Sequence, residues 1–145
     1  MASQEVFGAS GILDTCVVIS LPDITDPAVL PEEPLITAIT LAELMAGPSS
    51  TDNERIRAAR EAQLKQAEAD FNPLPFDENA ARAFGGVSAA LRTRGAKTQA
   101  KSYDALIAAT ALAHKMPIYT CNPGHFERIE GLEVFTVPEP TRLTG

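Results

Sequence analysis

Residues 11–19 read GILDTCVVI, apolar and β-branched on both sides of a single carboxylate, Asp14. An apolar run without alternation predicts a strand covered on both faces, as in a parallel sheet. Residues 35–39, LITAI, predict a second such strand. Residues 71–76 predict a short third strand, on an edge because Pro73 and Pro75 lack the donor that an interior strand needs. Residues 118–121 and 132–137 predict a fourth and a fifth. Helices separate these strands. TLAELMAG at 40–47 is ended by Gly47-Pro48, and 53–70 is rich in Ala, Glu, Gln, Arg and Lys. A third helix runs from an Asp77 cap to about Arg94 and is stopped by Gly95. A fourth follows a Ser102 cap and ends at Pro117. Strand and helix in alternation describe one α/β domain over residues 1–145. Its central, mainly parallel five-stranded sheet would carry helices on both faces. In such a domain the chemistry gathers beyond the carboxyl ends of the strands.

The chain's 145 residues have room for a single domain, and 45% hydrophobic content fills one core. A disordered tail and a disulfide-stapled miniprotein are both excluded on that composition. Apolar stretches break well before 18 residues and the first ten residues lack a basic start, so neither a membrane span nor a secretory signal is expected. The expected location is the cytoplasm. Cys16 and Cys121 each follow an apolar run and read as small buried hydrophobes, with no CxxC and no zinc spacing. GxGxxG, P-loop, HExxH and GxSxG patterns do not occur. The net charge of −7 argues against a nucleic-acid binder taken as a whole. The charge is uneven, however: 23–33 carry four acids and no base, while 92–101 carry Arg92, Arg94, Lys97 and Lys101 and no acid.

Three carboxylates stand out, each with a structural explanation beside a chemical one. Asp14 interrupts an apolar run, where a charge is costly unless it emerges at a strand end, and it would also serve as a helix N-cap. Glu43 completes a Thr40-x-x-Glu43 capping box. Asp104 lies in a first helical turn, where the helix dipole favours an acid by about 0.3–1 kcal/mol. It is followed by a run of alanines that lets the helix approach the sheet closely. Each acid falls at a helix start or a strand end, and in this architecture those points share one rim. Three carboxylates meeting there repel one another unless a cation is present. Oxygen ligands without His or Cys favour Mg²⁺ or Mn²⁺.

LDT at 13–15, TLAEL at 40–44, DALIAATALAH at 104–114 and TCNPGHF at 120–126 together resemble the PIN-domain ribonucleases, and most of all their VapC-type toxins. The resemblance runs over about residues 10–137. It implies a metal-dependent endoribonuclease with Asp14, Glu43 and Asp104 as acidic ligands of Mg²⁺ or Mn²⁺, and Asn122 at a fourth site position. It also implies Thr15 and Thr120 as hydrogen-bonding support, and products with a 5′-phosphate and a 3′-hydroxyl. His125 falls beside the site and is read as structural. Arg92, Arg94, Lys97 and Lys101 would hold flanking RNA phosphates, or else form an ordinary solvated helix end. The implied partners are an RNA substrate, a small antitoxin covering the site and a second copy in a homodimer, with no membrane.

Two other readings remain at this point. A receiver-like signalling module also uses an acidic Mg²⁺ pocket at a sheet rim, but it wants paired acids after the first strand and a lysine after the last. The sequence offers DTC and TCNPG instead. The DTC also fails the DxD of a haloacid-dehalogenase-type phosphatase. A PIN-like domain that binds RNA or protein without cutting is the second, kept open by the amide at Asn122.

Overall fold

A computed structural model describes residues 10–93 and 102–140. The first strand, β1 (Ser10–Leu13), is shorter than the apolar run that contains it. Asp14 Oδ1 accepts the Thr15 amide at 2.9 Å, and the chain turns there into α1 (Thr15–Ser20). The expected strand over 11–19 is therefore a strand, a cap and a short helix. Apolar content cannot tell a buried strand from a buried helix, and here the capping aspartate decides. β2 (Glu33–Leu35) pairs with β1 in parallel, Ser10 opposite Glu33 and Ile12 opposite Leu35.

Helix α2 (Ala38–Ala46) starts earlier than expected, because Thr37 rather than Thr40 is its cap. The Thr37 hydroxyl accepts the Thr40 amide at 3.1 Å. Helix α3 (Glu54–Asp70) is capped by Asn53, whose Oδ1 accepts the Ile56 amide at 3.0 Å. Segment 71–76 is not a strand. Leu74 alone bridges Thr37, its amide donating to the Ile36 carbonyl and its carbonyl accepting from Ala38. Pro73 and Pro75 have no N–H to carry the ladder further. Among the described residues the sheet accordingly has four strands rather than five.

Helices α4 (Glu78–Thr93) and α5 (Ser102–His114) follow. Asp77 Oδ1 accepts the Ala80 amide at 3.0 Å, as a cap should. Ser102 is the first helical residue of α5, and Gly95 lies outside the described residues. β3 (Ile118–Thr120) and β4 (Val134–Thr136) complete a parallel sheet in the order β2-β1-β3-β4. Successive strand residues face opposite sides. Ile12 and Ile118 pack among α4 and α5 residues with Val87, Ile107 and Ala108. Leu13 and Tyr119 pack on the other side with Val17, Val18, Leu44 and Ala67 from α1, α2 and α3. Burying each such Leu or Ile contributes roughly 1.5–3 kcal/mol. Ala108, Ala109 and Ala111 are fully buried, so α5 lies close on the sheet. The first turn of α5 reaches the segment after β3, where His125 Nδ1 lies 2.8 Å from Asp104 Oδ2. No helix among the described residues is long and apolar enough to cross a membrane.

Candidate active site

Asp14 follows β1 and is only 5% exposed. A carboxylate that buried needs partners. Besides the Thr15 amide on Oδ1, the Thr120 hydroxyl donates to Oδ2 at 2.8 Å and the Cys16 thiol lies 3.6 Å from the same oxygen. Thr120, the last residue of β3, accepts the Asn122 amide at 2.9 Å in turn. β1 and β3 are neighbours in the sheet, and this pairing carries Thr120 onto Asp14.

Glu43 is not the capping-box partner of Thr40. With the cap moved back to Thr37, Glu43 stands within the body of α2 and reaches across to α1. The Thr15 hydroxyl donates to Glu43 Oε1 at 2.5 Å, a short charge-assisted bond. Thr15 Oγ1 also lies 3.0 Å from Thr40 Oγ1. A hydroxyl carries one proton, so with Thr15 donating to Glu43 it is Thr40 that donates to Thr15. Burial pushes the Glu43 carboxyl above the usual range. The Thr15 bond opposes that push, and the charges of Asp14 and Asp104 add to it. Asp14, after β1, and Asp104, in α5, thus act electrostatically on Glu43 in α2.

Asp104, in the first turn of α5, is partly buried. His125 Nδ1 lies 2.8 Å from its Oδ2, a hydrogen bond that becomes an ion pair when the imidazole is protonated. His125 ends the 3₁₀ turn Pro123–His125 after β3, so it sits on a site acid. Asn122, exposed, precedes the same turn. Arg92 is exposed in the last turn of α4. Arg94, Lys97 and Lys101 lie outside the described residues. A cavity of about 500 Å³ between α1 and α3, lined by Val18, Leu21, Ala59, Ala62 and Phe71 among others, contains none of these acids.

Among the described residues no three His, Cys, Asp or Glu side chains form a ready-made metal cage. Glu43 is engaged by Thr15 and Asp104 by His125. The donor chemistry fits a hard divalent cation nonetheless: carboxylate and amide oxygens, positioned by hydroxyls, with repulsion on Glu43 that a cation would relieve. Sequence reasoning did not single out Thr40, which was hidden by its apparent role as a cap, and it read His125, beside the site, as structural although His125 Nδ1 bonds Asp104. Cys16 and Cys121 were hidden by their separation along the chain: the Cys121 amide donates to Cys16 Sγ at 3.2 Å.

The PIN domain family model matches residues 12–132. Ribonuclease VapC5 of Mycobacterium tuberculosis is 35% identical over 114 residues, which cover 77% of this chain and 82% of that protein. Ribonuclease VapC1 of Rickettsia felis is 33% identical over 102 residues, 70% of this chain and 75% of the relative. Among solved structures, VapBC-5 of Mycobacterium tuberculosis, a member of the VapBC family of toxin–antitoxin systems, superposes with a TM-score of 0.75 at 32% identity. That match covers 89% of this chain and 99% of the other. The receiver-like reading gives way to these findings, and the chain belongs to the PIN-domain family and, within it, to the VapC proteins.

Proposed function

We propose that this protein is an endoribonuclease toxin that hydrolyses RNA phosphodiester bonds with the help of Mg²⁺ or Mn²⁺. The observation that carries the reading is the set of acids held at the strand and helix ends: Thr120 donates to Asp14 Oδ2, Thr15 to Glu43 Oε1, and His125 Nδ1 lies against Asp104 Oδ2. Asp14, Glu43 and Asp104 would hold the cation, with the Asn122 amide oxygen as a neutral further donor. When bound, the cation supplies Lewis acidity toward the phosphate and a water of lowered pKa. The remaining work falls to the chain. Thr120 and the Thr15 amide fix the orientation of Asp14, and Thr15 with Thr40 behind it fixes Glu43. Water attacks the phosphorus, and the proton it releases passes to the departing O3′. The P–O3′ bond then breaks to leave a 5′-phosphate and a 3′-hydroxyl. His125 holds Asp104 by a bond that can yield as the acid turns toward the site.

Arg92, Arg94, Lys97 and Lys101 would contact flanking phosphates and so offset the net charge of −7. The relatives support the rest of the reading: two are named ribonucleases and the solved neighbour is a toxin–antitoxin complex. On the same reading the protein is a cytoplasmic homodimer, neutralised by a small antitoxin that covers the acids. The test is cleavage of end-labelled RNA by the purified chain with Mg²⁺ and with a chelator. Asp14→Asn and Asp104→Asn should each keep the circular dichroism of the parent and lose cleavage by about 100-fold or more. Full activity in both variants removes the acids from the mechanism. A parent chain that binds RNA and never cuts it returns the protein to the non-cleaving PIN-like reading.

A further inference from the structure

Cys16 and Cys121 are 105 residues apart in sequence and adjacent in space. Cys16 stands in the first turn of α1, and Cys121 is the first residue after β3. The Cys121 amide donates to Cys16 Sγ at 3.2 Å. The Cys121 Cα is one N–Cα bond, about 1.5 Å, from that amide nitrogen, so the Cys16 sulfur sits beside the Cys121 backbone. The strands beneath them are paired, with Leu13 opposite Tyr119 at the roughly 4.8 Å spacing of neighbouring strands. A disulfide bridges Cα atoms about 4.4–6.8 Å apart, and the Cys16 sulfur already touches the Cys121 backbone. Both thiols are free and half-buried, so a small oxidant has access.

We propose that Cys16 and Cys121 are a redox-responsive dithiol that closes to an intramolecular disulfide under an oxidant of the peroxide class and lowers activity at the neighbouring acids. One sulfur attacks a peroxide oxygen and the O–O bond breaks, giving a sulfenic acid and one water. The second sulfur attacks the first, the S–O bond breaks, and a second water leaves. Two thiols and one hydrogen peroxide therefore give one disulfide and two waters, with two electrons passing from sulfur to oxygen.

The consequence for the site follows from what else Cys16 touches. Its sulfur lies 3.6 Å from Asp14 Oδ2 and 3.7 Å from Thr120 Oγ1. Bonding that sulfur to Cys121 withdraws it from both. It also ties the first turn of α1 to the segment that carries Asn122 and His125. Small displacements of groups that must act together are costly, on the order of 100-fold in rate for about 1 Å.

The bridge itself goes beyond the nuclease reading; only its effect on cleavage rests on it. The full chain is reduced, exposed to graded hydrogen peroxide, and followed by thiol titration and by peptide mapping under non-reducing conditions. The expected result is paired loss of both thiols, a mass lower by two hydrogens, one linked peptide pair bearing Cys16 and Cys121, and reversal by dithiothreitol. Disulfides between separate chains, sulfinic acid on one cysteine with the other still free, or two thiols that persist in excess oxidant each overturn the bridge. For the effect on cleavage, the oxidised parent should lose about 10-fold or more. Cys121→Ala, which cannot form the bridge, should keep its activity under the same oxidant. A bridged parent that cuts as fast as the reduced one overturns the regulatory half and leaves the bridge standing.

Discussion

At the scale of single residues, Glu43 carries a conflict between fold and site. Burial and two aspartates disfavour its charge, and one short bond from Thr15 compensates. Glutamine keeps an oxygen for Thr15 and removes the charge. Glu43→Gln should therefore raise stability at neutral pH by up to about 1 kcal/mol, a modest figure because the side chain is only half-buried. In a domain of this size that is a melting temperature higher by about 2–4 °C. RNA cleavage should fall by about 100-fold or more in the same protein, the trade expected where function needs a destabilised group. A lower melting temperature, measured beside the parent, contradicts the conflict. Gly11 shows the opposite case, a residue chosen for room. A Cβ there would meet the Tyr119 ring, 2.8 Å from Cδ1, and Pro31 Cβ at 3.2 Å. Tyr119 cannot easily give way, since its ring packs on Phe135 with centroids 4.9 Å apart. Gly11→Ala should cost about 1–3 kcal/mol, read as a lower urea midpoint.

At the scale of elements, α5 ends on an unfavourable residue. Lys115 adopts φ 56°, the left-handed region. The Met116 amide bonds back to the Ala111 carbonyl and the Lys115 amide to Leu112. That pair of bonds is a Schellman ending, which favours glycine at the lysine's position. Lys115→Gly should stabilise by about 0.5–1 kcal/mol, seen as a higher urea midpoint with an unchanged slope. A lower midpoint would mean that the loss of the lysine stem outweighs the relief of strain. The three long helices were legible in sequence because length, composition and caps agree in them: Asn53 and Asp77 both accept the amides expected of capping residues. The short elements were not. GILDTCVVI hid a helix because four apolar residues fit a buried helix as readily as a strand. Thr37 took the cap from Thr40, since either threonine satisfies the local pattern and only the length of β2 decides between them. Segment 71–76 has strand-like residues, but its two prolines leave a single bridge.

At the scale of the whole molecule, a parallel sheet with helices on both faces draws every strand end and the helix starts that answer it toward one rim. That topology is why the sequence pointed to Asp14, Glu43 and Asp104 together as one candidate site, while it gave no sign of their detailed partners. Which hydroxyl meets which carboxylate depends on strand register, and the meeting of Cys16 with Cys121 depends on β1 and β3 being neighbours, which no local pattern states. The same scale governs how an acidic protein meets RNA. With a net charge of −7, long-range attraction cannot come from the molecule as a whole and must come from a local basic strip. Arg92 is exposed at the end of α4 and begins the one stretch, 92–101, that holds four bases and no acid. Binding of single-stranded RNA should then weaken with salt at a slope of about 0.7 per phosphate contact. In an Asp14→Asn background, which should bind without cutting, Arg92→Glu with Arg94→Glu should weaken binding and flatten that slope by about 1.4, two contacts' worth. The measurement is the dissociation constant between about 50 and 200 mM salt. An unchanged slope would assign the phosphate contacts to another face, and the strip would be an ordinary solvated helix end.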